Sequence, residues 1–140
     1  MNVYKGVFFD VDELACHCCR CTYQGLDAAL VHALDCIRFD LGTAIRVTSG
    51  YRCARHNEAV GGSPNSYHIH GKAADIQLHN DDDPHLGLLD VYSAADSLHF
   101  VRGIGVYEHH VHIDVRPGPR AFWTIGDPSW FPTEDFPVCT

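Results

Sequence analysis

The chain has 140 residues, of which 46% are hydrophobic and 20% are charged, and its formal charge is −8 with histidine neutral. This composition is typical of one globular domain over residues 1–140 and excludes disordered, collagen-like and coiled-coil proteins. The acidic balance argues against nucleic acid as a partner, because proteins that bind nucleic acid usually present a basic face to phosphate.

The predicted elements follow an α+β plan. Apolar residues at helical spacing predict a helix over 27–41, which Gly42 ends. Helical turns are expected at 54–60 and a longer helix over about 81–98. Strands are predicted at 45–48, 73–78, 101–107 and 110–116. Residues 119–140, rich in aromatic residues and proline, are expected to wrap irregularly over the core. The fold class is therefore α+β, a small and mainly antiparallel sheet with helices on one side.

The segment 110–116 has the alternation of a half-buried strand. Its valines and isoleucine would face the core, so His110, His112 and Asp114 would share the opposite face. Two imidazoles beside a carboxylate on one strand face indicate a functional site more than an ordinary exposed surface.

A second polar cluster precedes the strand at 73–78. Gly71 permits a tight turn that returns His68 toward Asp75. Together with His112, these residues supply two nitrogens and one carboxylate oxygen, the ligand number of a catalytic zinc site that keeps its fourth position open for water. A structural zinc site would be closed and would usually contain thiolates. The sequence therefore predicts that His68, Asp75 and His112 bind Zn²⁺.

These residues belong to an ordered series of short motifs. The series is Ser49-Gly-Tyr-Arg52, Asn57 with Val60-Gly-Gly62, Ser-x-His-x-x-Gly-x-Ala-x-Asp at 66–75, Gly103-x-Gly-x-Tyr107 and His112-x-Asp114. Over about residues 8–118, it resembles the zinc D-Ala-D-Ala carboxypeptidase family, peptidase family M15, in its compact bacterial and phage subgroup. The Hedgehog signalling domain shares this fold, so the resemblance implies the fold more directly than the activity.

The resemblance implies the same three zinc ligands and an enzyme that hydrolyses amide bonds in peptidoglycan stem peptides or cross-links through a metal-activated water. Arg52 would polarise the scissile carbonyl or stabilise the oxyanion, and Tyr51 and Ser66 would contact the substrate. Asp114 and Arg116 would support the ligands rather than bind the metal.

The general base is the point at which the chain departs from the family pattern. Several M15 enzymes have Glu or Asp three residues before the last ligand, whereas this chain has His109 there. Relatives with a His-x-His arrangement favour His110 as the base, Glu108 is the second candidate, and His109 could also supply the proton acceptor. The departure also lends some support to the alternative of a non-catalytic binding or scaffold module that keeps the zinc fold.

Seven cysteines are present, and four of them are crowded into residues 16–21. This segment allows a second zinc site completed by His17 or Cys53, a disulfide, or ordinary thiols.

The chain starts without a basic segment followed by an apolar run, and no stretch approaches the roughly 20 apolar residues of a membrane span. We therefore expect a monomer that is cytoplasmic as synthesised, has no membrane partner, and reaches a cell-wall substrate only by a separate route.

Overall fold

The structure is a computed structural model that describes residues 8–9, 11–17, 26–78 and 84–125. The described part of the chain contains helices α1 (Ala28–Leu41), α2 (Ala54–Ala59) and α3 (Pro84–Asp96). Its strands are β1 (Ile45–Ser49), β2 (Ala73–Leu78), β3 (Gly103–Val106), β4 (Val111–Asp114) and β5 (Ala121–Thr124). Short 3-10 helices lie at Val11–Leu14 and Tyr67–His70.

The five strands form one sheet in the order β1-β2-β4-β3-β5. The neighbouring pairs are antiparallel except β3 and β5, which run parallel. In the centre of the sheet, Asp75 of β2 pairs with His112 of β4. The predicted α+β fold with a mainly antiparallel sheet is confirmed.

Helix α1 begins and ends where its local sequence directs it. The Asp27 side chain accepts a hydrogen bond from the backbone N–H of Ala29 at 2.8 Å and so caps the first turn. Gly42 ends the helix in a left-handed conformation with φ of 64°, which glycine adopts without steric cost. The face between these ends buries Leu30 and Leu34 completely. These local signals account for the agreement with the helix predicted over 27–41.

The hydrophobic core lies between the helices and one face of the sheet. Helix α3 contacts β2, β3 and β4, and α1 packs against α3. Ile76 of β2 and Val111 and Ile113 of β4 are almost completely buried in this core. Because strand side chains alternate, burial of these apolar residues directs Asp75 and His112 to the opposite face.

The irregular wrap expected over 119–140 is wrong for residues 121–124, which form β5 beside β3. Parallel pairing with a distant strand leaves no local sequence signal comparable to a hairpin turn, which is why this strand was missed. Residues 126–140 lie outside the described part of the chain. The helix expected from about residue 81 is observed from Pro84, and residues 79–83 are also outside the description.

None of the helices among the described residues has the length and apolar character needed to cross a membrane.

The packing of α1 generates a stability prediction. Leu34 is 0% exposed, so Leu34→Ala should lower the free energy of unfolding by about 2–5 kcal/mol through lost burial and a residual cavity. Phe39 on the same helix is 79% exposed, and Phe39→Ala should change the free energy by no more than about 0.5 kcal/mol. Urea unfolding of both variants measures the difference; equal losses would contradict the packing described.

Candidate metal centre and adjoining groove

Three buried side chains, His68, Asp75 and His112, meet on the polar face of β2 and β4. One ligand atom from each lies within 4.8 Å of the others. The Asp75 Oδ1 atom is 3.2 Å from His68 Nε2 and 3.0 Å from His112 Nδ1. No other group of three potential ligand side chains within the described ranges is this close, so the residues predicted from their spacing do converge.

His68 is held by its own 3-10 helix. The Ser66 hydroxyl accepts a hydrogen bond from the His68 backbone N–H at 3.2 Å, and Gly71 ends the turn with φ of 68°. The ring nitrogen Nδ1 lies 2.7 Å from the carbonyl oxygen of Gly50. A carbonyl can only accept, so Nδ1 carries the hydrogen and Nε2 is the atom presented to Asp75.

His112 is oriented by a buried carboxylate on its own strand. Its Nε2 atom lies 2.8 Å from Asp114 Oδ2, and Asp114 is completely buried. Arg116 secures that carboxylate with two side-chain hydrogen bonds of 2.8 and 2.7 Å, and its backbone N–H adds a third of 3.1 Å. Such a carboxylate fixes the tautomer and ring orientation of a ligand histidine, leaving Nδ1 for the centre.

The chemistry of this donor set fits a metal ion. Each imidazole has one nitrogen committed as a donor, to the Gly50 carbonyl or to Asp114. In a neutral imidazole the other nitrogen offers a lone pair, so two lone pairs and the Asp75 carboxylate converge on one point. Three acceptors repel one another unless a cation or additional protons lie between them. Two imidazole nitrogens and one carboxylate oxygen are also a known ligand set of catalytic zinc.

The ionisation of the side chains at the centre also suits a bound metal ion. Burial by itself raises the pKa of Asp75, but hydrogen bonds with His112 and His68 hold it well below its ordinary value. Burial likewise opposes ionisation of Asp114, whereas hydrogen bonds with Arg116 and His112 keep its pKa well below the usual range. For His112, burial lowers the pKa, and the two carboxylates more than compensate, so it is raised. Asp75 is therefore ionised, which is the form that a carboxylate must have to bind a metal ion.

The centre opens into a groove of about 560 Å³, and its lining includes Arg52, Ser66 and His110. Arg52 donates hydrogen bonds from Nη2 to Asp75 Oδ2 at 3.3 Å and from Nε to the Ser49 hydroxyl at 3.0 Å. Three of the residues predicted for catalysis or substrate contact thus lie beside the metal ligands.

Two candidates for the general base occupy different places. His110 Nε2 is 3.7 Å from Asp75 Oδ2, and its ring stacks on Tyr107 with centroids 4.4 Å apart. Burial lowers the pKa of His110. Glu108 and His109 form the turn between β3 and β4, closed by a 2.9 Å hydrogen bond from the Tyr107 N–H to the His110 carbonyl. Their side chains are 70% and 67% exposed, and neither lines the groove.

Tyr51, predicted to contact substrate, is outside the groove lining. Its side chain packs against the hydrophobic core, and its N–H donates to the Leu14 carbonyl at 2.8 Å.

Trp123 is a site residue that the sequence analysis missed. Its ring lies 5.2 Å from that of His112, and its indole N–H donates to the Tyr107 hydroxyl at 3.2 Å. A Cβ atom at Gly105 would overlap the Trp123 indole, and one at Gly103 would overlap the Asp114 carboxylate. The Gly-x-Gly motif thus makes room for two groups that surround His112. This motif is the feature of the sequence that could have indicated a large side chain beside the strand.

An α+β domain that directs two histidines and an aspartate into an open groove has the architecture of a metal-dependent hydrolase. The family model for peptidase M15 matches residues 7–114, well over half of the 140 residues, and the chain belongs to the peptidase M15 family. The resemblance expected from the motifs is thereby confirmed, and membership indicates a peptidase. No curated protein matches the chain.

The support of His112 generates a prediction on metal affinity. Asp114→Asn keeps the side-chain shape but removes the charged acceptor of His112 Nε2, so the affinity of the centre should fall about 10–100-fold. Glu108→Gln makes the same chemical change on an exposed side chain and should leave affinity unchanged. Competition with a chromophoric chelator measures both, with thermal unfolding as a check on folding. Equal affinities would show that Asp114 does not orient the ligand.

Proposed function

We propose that the protein is a zinc-dependent peptidase that hydrolyses amide bonds in peptidoglycan stem peptides or their cross-links. The observation that carries the proposal is the convergence of His68, Asp75 and His112 in an open groove of a peptidase M15 chain. When bound there, zinc supplies Lewis-acid polarisation of a carbonyl and a water nucleophile at neutral pH.

The groove carries positive side chains although the chain as a whole has a charge of −8. Arg52 and Arg116 both line it, with side chains that are 16% and 22% exposed. The two arginines offset the charges of Asp75 and Asp114, so with a divalent cation at the centre the lining has a net positive charge that attracts carboxylates. A stem peptide carries carboxylates at its chain end and on its acidic residues, so this lining supports such a peptide as the substrate.

Arg52 is the proposed electrostatic catalyst. Besides its contacts with Asp75 and Ser49, its Nη1 atom donates to Asn57 Oδ1 at 3.3 Å, so the guanidinium is fixed beside a metal ligand before substrate arrives. Groups fixed in this way stabilise the negative charge that develops on the carbonyl oxygen, and they need little reorganisation during the reaction.

His110 is the proposed general base. Its Nε2 atom lies at the edge of the ligand set, and its partly exposed ring stays open to the groove. From this position Nε2 takes a proton from the attacking water and returns one to the leaving amine. Glu108 is the second candidate, but its turn position and exposed side chain favour it less.

Digestion of purified peptidoglycan tests the proposal directly. Zinc-loaded protein should release peptide fragments whose masses show one hydrolysed amide bond, because all three ligands and Arg52 lie in the same groove. Chelator treatment should abolish release, and added zinc should restore it. His112→Ala is the matched control, since it removes one of the three ligands. A folded, zinc-loaded protein that releases no fragment would favour the non-catalytic binding module.

The assignment of the base has its own test. His110→Ala should keep the metal at the centre and lower the rate by about 10²–10⁴-fold, because proton transfer is lost. Glu108→Gln should keep both the metal and most of the rate. Metal analysis and single-turnover assays on the same samples separate the roles. A slow Glu108→Gln beside an active His110→Ala would make Glu108 the base, and loss of metal in His110→Ala would overturn the ligand assignment.

A further inference from the structure

Two cysteines far apart in the sequence meet outside the groove. The Sγ atoms of Cys16 and Cys53 lie 3.6 Å apart, and Cys16 is completely buried. A disulfide requires a sulfur–sulfur distance of about 2.0 Å. Two thiolates on one tetrahedral zinc ion are about 3.8 Å apart, which follows from a Zn–S distance of about 2.3 Å. We propose that Cys16 and Cys53 are ligands of a second, structural transition-metal ion.

The backbone around the two sulfurs suits thiolates. The Cys53 N–H is directed at Cys16 Sγ at 3.4 Å, and the His56 N–H is directed at Cys53 Sγ, also at 3.4 Å. Each N–H supplies a hydrogen bond that a metal-bound thiolate can also accept. Both sulfurs are thus hydrogen-bond acceptors on one small patch.

Two histidines are close to these cysteines in the sequence. His17 follows Cys16 directly, His56 is three residues after Cys53, and their ring centroids are 6.2 Å apart. Sulfur and imidazole donors select zinc or a similar transition metal over calcium or magnesium. The ligands proposed here are Cys16 and Cys53 alone.

A metal here would join two segments that support the catalytic centre. Leu14, two residues before Cys16, accepts the Tyr51 N–H, and a Cβ atom at Gly50 would lie 2.7 Å from the Leu14 Cα. The segment packed in this way includes the Gly50 carbonyl that orients His68, and Arg52 immediately precedes Cys53. The second ion would therefore stabilise the loop behind the centre without touching substrate.

Metal stoichiometry of the full chain tests the inference independently of peptidase activity. Reduced wild-type protein should bind two zinc ions, and Cys16→Ser and Cys53→Ser should each bind one. Cys36→Ser is the matched control: Cys36 lies on α1 and should leave two ions bound. Two ions in both Cys16→Ser and Cys53→Ser, with Cys36→Ser unchanged, would overturn the proposal.

Cobalt substitution keeps the proposal testable if a cysteine variant fails to fold. His112→Ala retains Cys16 and Cys53, so it should bind one Co²⁺ ion and show sulfur-to-cobalt charge-transfer absorption, whose intensity increases with the number of thiolates. Two results together would overturn the metal site in favour of a redox pair. The first is that neither the reduced wild type nor His112→Ala shows this absorption, and the second is a Cys16–Cys53 disulfide in non-reduced peptides. Failure of the wall digest would leave these readouts unaffected.

Discussion

The register between β2 and β4 is the constraint on which the site depends. Asp75 lies directly opposite His112 in this antiparallel pair, and the same pairing places Ala74 beside Ile113 in the core. A shift of one residue would turn Asp75 into the core and an apolar side chain toward the groove. The apolar packing of one sheet face therefore fixes the polar chemistry of the other, so fold stability and ligand geometry depend on the same strand pair.

The second requirement is compensation of buried charge. Asp75 and Asp114 are both buried carboxylates, and each is stable only because cationic or hydrogen-bonding groups surround it. Arg52 contacts Asp75, and Arg116 contacts Asp114. Throughout the described residues, no fully buried side-chain nitrogen or oxygen lacks a hydrogen-bond partner. The centre is thus fixed by a polar network, and a bound metal would replace protons within that network and leave its framework in place.

Local signals predicted much of the fold. The apolar spacing over 27–41, the glycine at 42 and the strand pattern over 73–78 all act within a few residues, and the observed elements agree with them. The convergence of His68, Asp75 and His112 was also predictable, because alternation along β4 and the turn at Gly71 depend on neighbouring residues.

Features that depend on distant parts of the chain could not be predicted in this way. Strand β5 pairs in parallel with β3, and its Trp123 packs beside His112, contacts that arise only once the sheet has formed. The different positions of Glu108 and His110 depend on a two-residue turn that points Glu108 outward. Counting residues back from His112 cannot reveal that turn, which explains why the sequence left both candidates for the base open.

Support for His112 extends beyond the part of the chain that matches the family model, which ends at residue 114. The Arg116 guanidinium lies 4.8 Å from the Tyr67 ring centroid and 5.2 Å from that of Trp123, while its fork binds both oxygens of Asp114. A lysine could not combine this stacking with a paired hydrogen bond to the carboxylate. Orientation of His112 thus depends on Trp123 of β5 through Arg116 and Asp114, so β5 is part of the framework of the candidate metal centre.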